Sequence, residues 1–207
     1  MRQITSCALI VLGMMIFLSA QSPKKDRGEK DAVEAAEALI RGSDKRGSPQ
    51  TPLDLDVTVA ISRDGLMMTP RPFLRLTHTL GADLTGDLYL WGGWLRADPP
   101  IRPQDIICTP PSEYSAICVA RLSISEKVDW QSLLVDVFAA RACSIDLTPM
   151  PRAIVSDAAD LLVRMSIEGH VETYWCNAPG GTSGAGEREA VRVMEAMLKL
   201  ANAARRR

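Results

Sequence analysis

From Leu53 to Ile61 the chain alternates one for one: Leu53, Leu55, Val57, Val59 and Ile61 interleave with Asp54, Asp56, Thr58 and Ala60. A period of two predicts a strand with one buried face. Asp64-Gly65 reads as a tight turn, and the return arm Leu66 to Thr69 is cut short by Pro70 and Pro72. A second strand is expected from Phe73 to Leu80, with Leu74, Leu76, His78 and Leu80 sharing a side. A third, almost wholly apolar and therefore central, is expected from Asp87 to Arg96, with a bulge at Gly92-Gly93. A fourth runs from Tyr114 to Ser125, alternating Tyr114, Ala116, Cys118, Ala120, Leu122 and Ile124 inward.

The period then changes. Trp130, Leu133, Leu134, Val137 and Phe138 form one stripe of an amphipathic helix over Glu126 to Ala142, with Ser125 at its N-cap. A hairpin follows: Leu161 to Glu168, a Gly169-His170 turn, and Val171 to Cys176 returning. That turn sets Met165 opposite Tyr174, Val163 opposite Cys176 and Arg164 opposite Trp175. A last helix spans Glu187 to Ala204, its apolar stripe Ala190, Val191, Met194, Met197, Leu198 and Ala201. Strands joined by hairpins with helices set apart predict an α+β fold: a mainly antiparallel sheet, with the mid-chain and C-terminal helices packed on one face.

Residues 21–52 carry a different composition. They begin QSPKKDRGEKD and end RGSDKRGSPQTP. Such polar sequence reads as a flexible linker, because it cannot bury enough apolar surface to offset ordering entropy. Within it, Asp31 to Arg41 forms a short helix whose apolar face is Val33, Ala36, Leu39 and Ile40; a helix that small must dock on something to persist. Before it, Arg2, the apolar run Ala8 to Leu18 and then Ser19-Ala20 read as a secretory signal peptide over residues 1–20. The organisation expected is signal 1–20, linker 21–52 and one domain, 53–207.

Export changes the reading of the cysteines. Cys7 leaves with the signal, and Cys108, Cys118, Cys143 and Cys176 remain. An even number in an oxidising compartment reads as two disulfides, with three possible pairings. The pairing expected is Cys108 with Cys118 and Cys143 with Cys176, the first closing a short loop through Pro110-Pro111. A zinc site would need close ligand pairs, and no C-x2-C occurs. No metal or other cofactor is expected.

Composition narrows the function without naming it. Hydrophobic residues make up 46% of the 207 and charged residues 24%, which is globular. With 24 basic and 25 acidic side chains, the net charge of −1 gives no electrostatic footprint for nucleic acid. No second apolar run reaches membrane length. The loop Gly180 to Gly186 sits where phosphate loops sit, but Glu187 and Arg188 follow in place of Lys and Ser/Thr. Gly181-Thr182-Ser183-Gly184 resembles the nucleophile loop of chymotrypsin-like serine proteases over four residues. Only 24 residues follow Ser183, too few for the strands that fold would need.

The remaining candidates are few. His78 is one of only two histidines and the one candidate general base on a strand. Trp91 and Trp94, brought to one side by a glycine bulge, would make a stacking platform for a sugar or peptide. Arg164 and Trp175 would pair through a cation–π contact. The sequence therefore reads as a periplasmic or secreted, non-enzymatic binding or accessory protein, its partner an envelope protein or glycan. The alternatives are a small secreted hydrolase using His78, and an assembly or structural factor docking through its C-terminal helix.

Overall fold

The computed structural model describes residues 24–43, 53–61, 71–91, 101–109, 117–144, 159–176 and 185–206, with side chains in the first helix from 32 to 42. The segment expected to be a signal, the expected turn at Asp64-Gly65 with its return arm, Gly92-Gly93 and Trp94, Pro110-Pro111, and Ser183 all lie outside the described residues.

The described chain runs α1 (Lys24–Ser43), β1 (Leu55–Ile61), β2 (Arg71–His78), β3 (Thr85–Trp91), β4 (Ile106–Cys108), β5 (Cys118–Leu122), α2 (Trp130–Ala140), β6 (Leu161–Ile167), β7 (His170–Cys176) and α3 (Glu187–Arg205). The strands form one sheet in the order β4-β5-β3-β2-β1-β6-β7, antiparallel at every pairing. The fold is α+β as the alternation predicts, with α2 and the C-terminal helix α3 together on one face. Val57, Val59, Leu74, Leu76, Leu88, Leu90, Val163 and Met165 supply the sheet side of that core, and Leu133, Val137, Met194 and Met197 the helix side.

The opposite face holds a second core. Val33, Ala36 and Ile40 of α1 are buried against Ala60, Phe73, Tyr89, Trp91 and Val119. The helix predicted within the linker is therefore longer than Asp31 to Arg41, and the surface it docks on is the far side of the sheet. Its arrival explains the burial of β1, where every residue after Leu55 is buried, and not one face alone as its alternation predicts. A helix on each side turns a half-wet strand into a central one.

Several boundaries move for identifiable reasons. β4, too short to show a period, pairs with β5 and brings Cys108 opposite Cys118. Leu80, expected inward on β2, lies beyond the strand and is exposed. Helix α2 starts at Trp130, not near Glu126, because Asp129 and not Ser125 caps it: the Asp129 carboxylate accepts from the Ser132 amide at 3.0 Å and from its hydroxyl at 2.7 Å. A carboxylate at that place meets both a stranded amide and the positive end of the helix dipole.

The β6–β7 turn is Glu168-Gly169, not Gly169-His170; both residues have positive φ, 48° and 85°. That is the turn whose twist matches the strands it joins. The register shifts by two residues: Val163 faces Tyr174, Leu161 faces Cys176 and Leu162 faces Trp175. An even slip leaves every side chain on the face its pattern predicts.

Candidate functional site

The polar residues of the sheet do not dissolve into solvent; they form a ladder beneath and beside α1. Arg75 on β2 donates to both oxygens of Asp56 on β1, Nε to Oδ1 at 3.0 Å and Nη2 to Oδ2 at 3.2 Å. Arg41 of α1 reaches the same carboxylate at 3.1 Å while its Nε donates to Glu37 at 2.7 Å. Arg164 on β6 approaches Glu37 at 3.5 Å. On the other side, Arg75 stands opposite Asp87 in the β2–β3 register, and Asp87 accepts from Arg121 on β5.

The signs alternate along the row: Arg121, Asp87, Arg75, Asp56, Arg41, Glu37, Arg164. At its centre Asp56, Arg75 and Glu37 are 8%, 5% and 4% exposed. Charges so far from water persist only when paired and hydrogen-bonded, and losing one partner leaves the other stranded. Arg75 also donates to the carbonyl of Ile40 in the last turn of α1, at 3.4 Å, meeting the negative end of its dipole. The ladder thus fixes where α1 sits and in which rotation.

Asp54 and Asp56 share the polar face of the strand expected from Leu53 to Ile61. The structure separates them: Asp56 enters the ladder, while Asp54 lies at the strand end beside His78. A signal for the ladder was present in the chain. Neighbouring strands carry opposite charges at positions of one face: Asp56 on β1, Arg75 on β2, Asp87 on β3 and Arg121 on β5. Reading it needs the strand order, which alternation alone does not supply.

His78 ends β2. Its Nδ1 lies 3.6 Å from a carboxylate oxygen of Asp54, with 36% of its side chain exposed. The Asp54 amide also donates to the His78 carbonyl at 3.1 Å, so the backbone sets the two side by side, while the Asp54 Oδ2 has no hydrogen-bond partner among the described residues. This is an open histidine–carboxylate pair at the rim of the sheet, not an imidazole enclosed by leucines.

Trp91 is buried in the second core. Phe73 meets it edge-on, with ring centroids 6.4 Å apart, and the Arg71 guanidinium lies 5.8 Å over its ring. Its indole Nε1 has no acceptor among the described residues. Trp94 is outside the described residues, so the platform is represented by its buried member alone. Arg164 faces Thr173, not Trp175, because of the two-residue shift in register, and its guanidinium turns toward Glu37.

A groove of about 340 Å³ opens between α2 and α3, lined in part by Lys127, Asp129, Ser132, Asp136, Arg192 and Lys199. Its charges are largely occupied. Arg192 donates to Asp136 at 3.1 and 2.5 Å and to Glu189 at 3.3 Å. The hydrogen bond to Asp136 raises the guanidinium's already high pKa. Donation by the Ser132 amide and hydroxyl lowers the Asp129 carboxyl below its ordinary value. The apolar stripe of α3 is also occupied, since Ala190, Val193, Met194, Met197, Leu200 and Ala201 are buried in the first core.

Cys108 and Cys118 are bonded across β4 and β5, and Cys143 and Cys176 join the turn after α2 to the end of β7, as the sequence predicts. Among the described residues no group of three or more His, Cys, Asp or Glu side chains is placed to hold a metal, and no helix is long and apolar enough to cross a membrane. No protein-family model, curated protein or solved structure matches the chain.

Proposed function

We propose that this chain is an exported, non-catalytic binding or accessory protein of the cell envelope, working in the periplasm or outside the cell. The observation that carries this reading is the bonding of all four cysteines beyond the leader in two pairs, one of them in the core. Structural disulfides persist in oxidising compartments and are rare in the cytosol. The use of the carboxylates supports the non-catalytic part. Asp56, Glu37 and Asp136 are committed to arginines, and Asp129 to a helix cap.

Thiol labelling of unreduced protein from fractionated cells tests the compartment. Material in the envelope or medium with no modifiable thiols is expected. Four reactive thiols, or a cytosolic pool, would overturn the proposal. Capture from an envelope extract, followed by competition with isolated envelope glycans, separates a protein partner from a glycan.

A second reading has one observation in its favour. The His78–Asp54 pair is open and set side by side by a backbone hydrogen bond, with a carboxylate oxygen 3.6 Å from the imidazole Nδ1, from which a small approach would let it orient the ring as a general base. Hydrolysis of an ester or glycoside panel by the wild type, lost in His78→Ala with the fold intact, would select a small hydrolase over a binding protein.

A further inference from the structure

The two disulfides stand in opposite surroundings. Cys143 and Cys176 are 4% and 0% exposed, walled in by the first core. Cys108 is exposed and Cys118 half-buried, on the last two strands at one end of the sheet. We propose that Cys108–Cys118 is a thiol–disulfide exchange site, opened and closed by a dithiol protein of the envelope, while Cys143–Cys176 is a permanent staple. It rests on the chain being exported, because an oxidising compartment is what keeps the bridge closed at rest.

The backbone holds these two cysteines together without their bond. The Thr109 amide donates to the Ile117 carbonyl at 2.8 Å, and the Ile117 amide donates to the Thr109 hydroxyl at 3.0 Å. On the other side, Ile107 faces Val119 and Ile106 faces Ala120. Hydrogen-bonded and non-hydrogen-bonded pairs alternate along an antiparallel ladder, so Cys108 and Cys118 are the non-hydrogen-bonded pair between. In such a pair the side chains come closest, and here the Cα atoms are 4.0 Å apart. Reduction therefore leaves two thiols facing each other on strands that remain paired, ready to close the same bond again.

Little else hangs on the bridge. It joins residues 10 apart at a three-residue strand, whereas Cys143–Cys176 spans 33 residues and ties the turn after α2 to β7. Opening the first loosens one end of the sheet. Opening the second cuts into the core.

Exchange needs a thiolate in line with the sulfur–sulfur bond, and so needs access to the sulfur attacked. Cys108 offers that access and the core pair does not. The partner's thiolate bonds to the Cys108 Sγ; the Cys108–Cys118 bond breaks, and its electron pair leaves on Cys118, which takes a proton from water. The partner's second thiolate then bonds to the partner's first sulfur, and the electron pair of the mixed disulfide leaves on Cys108, which is protonated in turn. Two electrons have passed: this chain holds two thiols and the partner a disulfide. The reverse sequence closes the bridge.

Graded reduction of the purified full chain by dithiothreitol, with alkylation and peptide mass spectrometry at each cysteine, tests this. Cys108 and Cys118 are expected to open together, about tenfold faster than Cys143 and Cys176, with circular dichroism unchanged. Oxidised dithiothreitol should restore the same pair. A Cys-x-x-Cys oxidoreductase whose second cysteine is replaced by Ser should be captured as a mixed disulfide through Cys108, and not by Cys108→Ala/Cys118→Ala. Equal rates for the two bridges, the core bridge opening first, unfolding as the first bridge opens, or no capture through Cys108 overturns the proposal. These readouts use purified chain, so a cytosolic pool in cells would refute export and leave them unchanged.

Discussion

Arg75 holds Asp56 with two nitrogens across neighbouring strands, and the same carboxylate receives Arg41 from a helix 15 residues earlier in the chain. One buried carboxylate thus joins β1, β2 and α1. Arg75→Met should destabilise the protein by about 3 kcal/mol, because it leaves the buried Asp56 with Arg41 alone in place of a two-nitrogen clasp. Adding Asp56→Leu should recover a large part of that loss. Denaturant melts of the two single variants and the double variant measure it; single-variant losses that simply add would refute the coupling.

Asp129 sets a pH dependence of α2. Its folded pKa is lowered, chiefly by the hydrogen bond from the Ser132 amide. A depressed carboxyl stabilises the fold above its unfolded value, about 3.9, and loses that contribution as pH falls through the folded value. Asp129→Ala should therefore melt below the wild type at neutral pH and approach it as the carboxyl is protonated in acid. Asp129→Asn, an equally good cap, should lie close to the wild type at neutral pH.

Tyr174 sets the alkaline side. Burial raises its pKa well above the ordinary range, with Glu172 adding to the effect. A raised value means the contribution is whole below about pH 10 and is lost as pH climbs through the folded value. Wild-type stability should decline above pH 10. Tyr174→Phe, lacking the ionisation and the hydrogen bond to Val137, should be less stable at neutral pH by about 1 kcal/mol and flatter in alkali.

The two disulfides differ in loop length, with separations of 10 and 33 residues. Chain-entropy reasoning gives about 3 kcal/mol for the shorter and about 4 kcal/mol for the longer. Cys143→Ala/Cys176→Ala should therefore cost more than Cys108→Ala/Cys118→Ala. The gap should widen further because Cys176 is fully buried while Cys108 is exposed. Thermal melts of the two double variants decide the order.

Gly186 permits the close approach of α3 to the end of α2. It sits at φ 80°, and a Cβ there would lie 2.6 Å from the Cys143 nitrogen and 2.9 Å from the Ala139 carbonyl oxygen. Gly186→Ala should cost about 2–4 kcal/mol through backbone strain and displacement of the helix pair. Gly42→Ala, with open space around it, should not. Urea midpoints separate the two.

How much was legible follows from the range of each interaction. Period-two runs set β1, β2, the hairpin strands and their faces, because alternation is a local consequence of the pleat. The stripe at Leu133 and Val137 set α2 in the same way. The cysteine pairing was legible too, from an even count and one short loop. The second core, the boundary at Asp129 and the hairpin register were not.

What the chain alone determined about this protein is its elements, its class and its sulfur pairing, since each depends on residues near in sequence or few in number. What only the tertiary structure decided is the use of its charges. Asp56 and Glu37 look like solvated residues until strand order and the docking of α1 bring Arg75, Arg41 and Arg164 to them. A polar position next to an apolar one says which way a side chain points. Whether water or a guanidinium waits there is settled only when distant segments meet.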